Sequence, residues 1–217
     1  MCMLNLRIGA FINAQFLPNR NLGLLQWYDS FFTQSKRNIK RLSIIRPFSK
    51  HDVEALSHVF EEWNTFLPCN TSNMSKDKQF SVDVFLSYSQ TLKNSKPVRQ
   101  QVRRIIDDFE SNHNGSGWEQ CIKSIRTIEA KIDPQWDLYF VNKGHKNRMW
   151  VHGPNQQFLT SMEVILGGDF GHYDAVFVME SDVLPVRQYW LDSLLEEAEK
   201  DPFMILGSKY GMGSLLL

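Results

Sequence analysis

The sequence predicts an α/β fold: a parallel, doubly wound, Rossmann-like sheet with helices on both faces. Short apolar runs alternate along the chain with segments of helical period, which is typical of this class. Residues 175–179 are apolar without alternation, as expected for a central strand covered on both faces. Hydrophobic residues make up 42% of the chain and charged residues 22%, so a sizeable core can form.

The chain of 217 residues fits one domain with extra length at one end. Residues 1–41 show no sustained period, and we predict an ill-defined N-terminal extension there, followed by the folded domain at residues 42–217. Basic and acidic residues number 24 each, which leaves no overall positive field to collect nucleic acid or an anionic membrane. No continuous apolar run reaches about 20 residues, so we expect no transmembrane segment.

The first predicted strand of the folded domain is residues 42–45. We expect it to stop at Arg46 and Pro47, because proline has no backbone N–H. Ser49 is a candidate cap for the helix that follows. The apolar residues of that helix recur at spacings of three and four: Val53, Leu56, Phe60 and Trp63. Residues 64–79 are predicted as a loop, and the alternation over residues 80–88 predicts the second strand.

Two helices are predicted next, over residues 98–109 and 118–128, and Ser116 with Glu119 forms a capping box for the second. Residues 137–141 are the predicted third strand, followed by a basic loop at residues 143–148. This loop is either a solvated surface segment or an anion site beside the next helix.

The remaining helices and strands follow from the same patterns. A helix begins near Pro154 and ends at Gly167, and its apolar stripe is Phe158, Leu159, Met162, Ile165 and Leu166. The apolar strand at residues 175–179 comes next, then a helix over residues 190–198 and a strand over residues 203–206. We expect the strand at 175–180 to lie in the centre of the sheet, flanked by the strands at 43–46 and 203–206.

The three cysteines, Cys2, Cys69 and Cys121, are far apart in sequence and form no CxxC pair. They predict neither a zinc site nor a disulfide framework, so the redox compartment stays open. Asn70, Asn73 and Asn114 begin glycosylation sequons, which would suit a lumenal protein but also arise by chance.

An acidic pair follows the most apolar strand. Residues i and i+2 of an extended chain point to the same side, so Glu180 and Asp182 bring two carboxylates together. Paired carboxylate oxygens favour Mg²⁺ or Mn²⁺, and ligands of doubly wound sheets bind beyond the carboxyl ends of the strands. In the alternative reading, the acids only mark the exit of the strand into solvent, and Asp182 caps the turn before Pro185.

The segment YDAVFVMESDVLP, from Tyr173 to Pro185, resembles the DxD segment of nucleotide-sugar-dependent glycosyltransferases of the GT-A fold. The similarity extends back to the segment HGPN at residues 152–155 and forward to residues 207–210. The order of strands and helices from residue 42 to Asp182 is also similar to the nucleotide-binding half of that family.

The resemblance implies roles for particular residues. Asp182 resembles the direct metal ligand, and Glu180 resembles the acid that binds the metal through water or holds the sugar or ribose. The segment of Arg46 and Pro47 is similar to the one that meets the nucleotide base. Further substrate-binding candidates are Ser181, His152 and Asn155, although a lone histidine is often a core residue and an asparagine at a helix start is often a cap.

The resemblance therefore implies a metal-dependent glycosyltransferase that uses Mn²⁺ or Mg²⁺ and a nucleotide-diphosphate sugar, with a UDP-sugar as the preferred candidate. It also implies a location in the Golgi or secretory lumen. Position 180 is Glu where the family has Asp. The acceptor-binding half of the family lies beyond the fifth strand, whereas this sequence stops at Leu217, so we expect an incomplete member with an unassigned catalytic base. The acceptor stays open.

Three alternatives remain. A catalytically inert nucleotide-sugar-binding fragment or scaffold fits the same residues. A sugar-phosphate nucleotidyltransferase is disfavoured because residues 46–49 contain no glycine for a phosphate loop. A phosphatase is disfavoured because its aspartyl nucleophile would follow the first strand, whereas position 180 is Glu on a late one.

Overall fold

The computed structural model describes residues 10–12, 39–70, 80–112, 117–137, 152–181, 183–200 and 205–206. Six strands and four α-helices lie in these ranges. The strands are β1 (Ala10–Ile12), β2 (Arg41–Phe48), β3 (Ser81–Tyr88), β4 (Ser124–Glu129), β5 (Ala175–Val178) and β6 (Ile205–Leu206). The helices are α1 (Val53–Thr65), α2 (Lys96–Asn112), α3 (His152–Leu166) and α4 (Trp190–Lys200), with short 3₁₀ helices at Leu92–Asn94 and Trp118–Cys121.

The strands form one sheet in the order β4-β3-β2-β5-β1-β6. The four neighbours β4, β3, β2 and β5 are mutually parallel. The predicted parallel α/β sheet is thereby confirmed. From β2 the chain moves outward through β3 and β4 and then crosses to β5 on the other side of β2. The order of the strands therefore reverses between β2 and β5, and that is the position at which such sheets bind ligands.

The predicted neighbours of β5 are half right. β5 pairs with β2 in parallel, as expected, but β1 pairs with its other edge in antiparallel fashion. β6 pairs with β1 and not with β5. The prediction that residues 203–206 flank β5 is wrong, because a strand from the segment 1–41 lies between them. β1 has three residues, too few to show an alternating pattern.

The predicted end of the first strand is also wrong, because β2 continues through Pro47 to Phe48. The main-chain oxygen of Ile45 accepts from the N–H of Met179 after β5, so odd-numbered residues at this end of β2 direct their backbone groups toward β5. β5 ends at Val178, before it could pair with Pro47. At position 47 a backbone N–H would point toward β5, which has already ended there. Proline therefore costs the sheet no hydrogen bond at this position.

The helix predicted over residues 118–128 is wrong. The chain forms the 3₁₀ helix Trp118–Cys121 and then strand β4. Ile125 and Ile128, three residues apart, pack into opposite faces of the sheet, and both are buried because both faces are covered. In a helix, the same spacing places two residues on one face. Ser116 of the predicted capping box and residues 138–141 of the predicted third strand lie outside the described residues.

Helices cover both faces of the sheet. The larger core contains residues of α1, α2 and α4, and the smaller core, on the other face, contains residues of α3. Three tryptophans, Trp63, Trp118 and Trp190, pack in the larger core, where the ring of Trp63 lies 5.3 Å from Trp118 and 5.2 Å from Trp190. The apolar periods of α1, α2 and α4 are confirmed. At the start of α1, Asp52 rather than Ser49 is the N-cap residue.

Cys69 and Cys121 form a disulfide, with Cα atoms 5.7 Å apart. It links the segment after α1 to the 3₁₀ helix before β4, and both residues are buried in the larger core. The sequence contains no pattern that predicts this pairing. None of the helices in the described ranges is long and apolar enough to cross a membrane.

Candidate functional site

The candidate site lies at the edge of the sheet where β2, β3, β4 and β5 end, which we call the carboxyl edge. Four segments leave the strands there, beginning at Ser49, Ser89, Ala130 and Met179. Those at Ser49 and Met179 lie on either side of the point where the strand order reverses. The sequence-predicted residues Arg46, Pro47, Glu180 and Ser181 all belong to these two neighbouring strands and the loops after them.

The segment after β5 is a tight turn. Met179 donates its N–H to the oxygen of Ile45, 2.8 Å away, and Val183 donates to the oxygen of Glu180, 3.1 Å away. The side chain of Glu180 is exposed, Ser181 is half-buried, and Asp182 lies outside the described residues. Glu180 makes no side-chain hydrogen bond or ion pair with the described residues, so its carboxylate is available to a ligand.

Arg46 is fully buried, and its guanidinium reaches across the point of reversal. Nη1 donates to the main-chain oxygen of Val183 and Nη2 to that of Ser181, each over 3.2 Å. The resemblance placed Arg46 against a nucleotide base. In the structure, these two bonds direct the guanidinium to the segment after β5 that begins at Met179 and carries Glu180, which we call the acidic loop. Pro47 lies at the carboxyl edge, as predicted.

The N-terminus of α3 lies at the same edge, because Gln157 near its start donates to the oxygen of Phe48 at the end of β2, 3.1 Å away. Asn155 is exposed in the first turn of the helix, and His152 is its first residue, with a side chain outside the described set. The positive end of the helix dipole therefore faces the carboxyl edge.

The predicted apolar stripe of α3 is wrong in part. Met162 and Ile165 are buried, but Phe158 and Leu159 are 37% and 59% exposed. The buried face instead includes Gln157 and Ser161.

These two polar residues attach α3 to the sheet. Gln157 also donates to the oxygen of Ser87, and the hydroxyls of Ser87 and Ser161 lie 2.7 Å apart. Sequence reasoning missed both residues because they are polar. The one signal that could have found them is the spacing of four that continues from Gln157 through Ser161 to the buried Ile165.

A second polar group at the carboxyl edge surrounds Asp137, the first residue of the predicted third strand. Ser89 and Gln90, just beyond β3, donate to Oδ2 of Asp137 over 3.0 and 2.6 Å. Burial raises the pKa of Tyr88, the negative charge of Asp137 raises it further, and a hydrogen bond with Ser95 acts in the opposite direction. These contacts hold the loop after β4 against the end of β3.

The strongest charge network lies at the opposite edge, where the parallel strands begin. Asp83 accepts hydrogen bonds from Ser124, Tyr173 and Arg41, over 2.5, 2.8 and 3.2 Å. Burial raises the pKa of Asp83, but these bonds and the charge of Arg41 outweigh burial and leave the pKa below its ordinary value. Burial and the neighbouring Asp83 raise the pKa of Tyr173. Every polar group of Asp83 is thus occupied by the protein, which indicates a structural network.

The described residues include His, Cys, Asp and Glu side chains that could ligate a metal. Among them, no group of three or more His, Cys, Asp or Glu side chains is close enough together to hold an ion. Of the predicted acidic pair, the structure describes Glu180 but not Asp182. The basic loop at residues 143–148 also lies outside the described residues.

Comparison of the chain with protein-family models, with curated proteins and with solved structures gives no match.

Proposed function

We propose that this chain is a metal-dependent glycosyltransferase that transfers a sugar from a nucleotide-diphosphate donor. A UDP-sugar is the preferred candidate for that donor. In this proposal Glu180 and Asp182 bind Mn²⁺ or Mg²⁺ together with the donor diphosphate. When bound, the cation supplies positive charge that stabilises the departing nucleotide diphosphate.

The position of Glu180 carries the proposal. It is an exposed carboxylate two residues beyond the last residue of β5, on a loop beside the point where the strand order reverses. Doubly wound sheets bind their ligands at that point, so an acidic side chain there is well placed to bind a cation together with a phosphate ligand. Carboxylate oxygens are the donors that Mg²⁺ and Mn²⁺ prefer, so the residue types fit the proposed cation.

The start of α3 gives further support. Its positive dipole end favours an anionic group at the same edge of the sheet. Asn155, exposed in the first turn, is available to hydrogen-bond such a ligand. The chain's own contribution would be to orient the diphosphate between this helix and the loop after β5.

The proposal includes an oxidising compartment such as the secretory lumen. The disulfide between Cys69 and Cys121 supports it, because structural disulfides persist mainly in such compartments. The three sequons noted in the sequence agree with the same location.

Calorimetric titration with UDP, with and without Mn²⁺, tests the proposal. Wild type should bind UDP only when the cation is present, because two carboxylates and a diphosphate repel one another without it. Asp182→Asn should weaken the Mn²⁺-dependent affinity by about 100-fold or more while the fold persists, since it removes one of the two negative charges that would bind the cation. Glu180→Gln should have a smaller effect if Glu180 acts through water or the sugar.

Asp169→Asn is the matched control, because Asp169 is an exposed acid near the opposite edge, before β5. It should bind UDP as wild type does. Metal-independent binding, or an Asp182→Asn variant with unchanged affinity, would contradict the proposal. Mn²⁺-dependent binding without hydrolysis or transfer of any UDP-sugar would support the alternative of a nucleotide-sugar-binding protein without catalysis.

A further inference from the structure

Arg46 is hydrogen-bonded to the main chain of the loop after β5, and the proposed function gives it no role there. Its two terminal nitrogens bind the main-chain oxygens of Ser181 and Val183, which are the carbonyls on either side of position 182 in the sequence. One guanidinium thus ties the acidic loop to the end of β2 at two points. Both bonds are 3.2 Å long, and the side chain is fully excluded from solvent.

A buried guanidinium in this part of the sheet is costly. On the same face of β2, Ile44 and Phe48 are buried and apolar, and a charge transferred there from water must be offset by hydrogen bonds. The Ser181 and Val183 oxygens supply two of the hydrogen bonds that offset this cost. A rearrangement of the acidic loop that broke these bonds would leave the buried guanidinium less well compensated, so the conformation of the loop is coupled to the burial of Arg46.

The charge of Arg46 has a second consequence. Glu180 and Asp182 repel each other when both are ionised and no cation is bound. The fixed positive charge of Arg46, which is hydrogen-bonded to the same loop, offsets part of that repulsion. The loop can therefore keep one conformation before a cation arrives.

We infer that Arg46 is a positioning residue that holds the acidic loop in the conformation that binds the cation, and that it does not contact the nucleotide base. This inference rests on the proposed function for the identity of the ligand. Arginine suits the role because its planar fork spans two oxygens at once, whereas lysine carries a single ammonium.

Arg46→Lys is the informative variant, since it keeps the charge and loses the two-point attachment. Arg41→Lys is the matched control. Arg41 also bridges two partners, Asp83 Oδ2 at 3.2 Å and the oxygen of Phe170 at 3.4 Å, but it does so at the opposite edge of the sheet. Both variants should unfold at a lower temperature than wild type.

Two measurements are made on both variants. Calorimetry gives the affinity for UDP in the presence of Mn²⁺, and hydrogen exchange gives the protection of the Val183 amide, which is bonded to the oxygen of Glu180. Arg46→Lys should weaken the affinity by about tenfold or more and speed exchange by a similar factor, as expected for loss of one hydrogen bond to a charged group. Arg41→Lys should leave the affinity and the exchange of Val183 within about twofold of wild type.

Unchanged affinity and unchanged exchange in Arg46→Lys would overturn the inference. Equal effects in Arg41→Lys would also overturn it, because they would reflect general destabilisation. If wild type shows no Mn²⁺-dependent binding of UDP, the proposed function fails, and the exchange of Val183 alone then decides whether Arg46 positions the loop.

Discussion

Cys69 and Cys121 are joined by a disulfide across 52 residues of sequence. The bond closes a loop that contains β3, α2 and the segment leading to β4. It therefore fixes the end of α1 relative to the strand on the far side of the sheet, and it stabilises the native state mainly by restricting the unfolded chain.

Replacement of both cysteines by alanine should lower the free energy of unfolding by about 4 kcal/mol, the value that chain entropy assigns to a closed loop of this length. Urea denaturation of the non-reduced protein measures it. Cys2→Ala is the control, and it should leave the urea midpoint unchanged. Thiol titration in denaturant without reductant should find one free thiol per chain of three cysteines, and three free thiols would refute the disulfide.

Stability should fall at acid pH partly through Asp83. The pKa of Asp83 is below its usual value of 3.8 in the folded protein, so its contribution is fully present above about pH 4 and is lost as the pH falls through the lower folded value. Thermal melts between pH 5 and pH 2 should show a shallower acid-side decline for Asp83→Asn and for Tyr173→Phe than for wild type. Asp107→Asn, at an exposed carboxylate paired with Arg103, should keep the wild-type slope.

Phe177 tests the burial of β5. It is 5% exposed in the larger core, so Phe177→Ala should cost about 3–5 kcal/mol of unfolding free energy. Phe158→Ala removes the same atoms from a side chain that is 37% exposed and should cost clearly less. Equal losses in denaturant unfolding would show that the two phenylalanines do not differ in burial as described.

Insertion of β1 into the sheet is tested by Phe11→Pro. Phe11 pairs with Phe177 on one side and with Leu206 on the other, so proline removes an N–H that lies between two strands. We expect a loss of about 1–3 kcal/mol, the cost of leaving a hydrogen-bonding group unpaired. Phe11→Ala keeps the N–H and measures the side chain separately. Proline and alanine variants of equal stability would count against this pairing.

Limited proteolysis examines the rest of the N-terminal segment. We predicted residues 1–41 to be weakly packed, and of the region before Ile39 only residues 10–12 are described. Cleavage under native conditions should fall within residues 1–41, outside β1. Resistance of the whole segment to protease would contradict the expectation of weak packing.

The spacing of apolar residues predicts those helices and strands whose burial follows a single local period. Leu56, Phe60 and Trp63 recur on one face of α1 and are buried there, as their spacing indicates. The continuous apolar run at residues 175–179 likewise predicted a strand between two covered faces. The same reasoning failed for Ile125 and Ile128, because a spacing of three fits one face of a helix and also two buried faces of a strand.

The candidate site divides in the same way. Glu180 could be placed at the end of a buried strand because acidic residues directly follow an apolar run in the sequence. The contacts of Arg46 with the oxygens of Ser181 and Val183 could not be foreseen, since they connect positions more than 130 residues apart and involve main-chain atoms, which residue type does not specify.

The sequence by itself determined the α/β class, the existence of β2, β3, β5, β6 and the helices α1 to α4, and the location of the acidic segment after β5. The tertiary structure alone decided that β1 separates β5 from β6, that Pro47 belongs to β2, and that Cys69 pairs with Cys121. The physical reason is the range of the interactions. Helical and strand periods record which side of a local segment is buried, whereas strand order, disulfide pairing and the bonds of a buried guanidinium depend on which distant segments pack together.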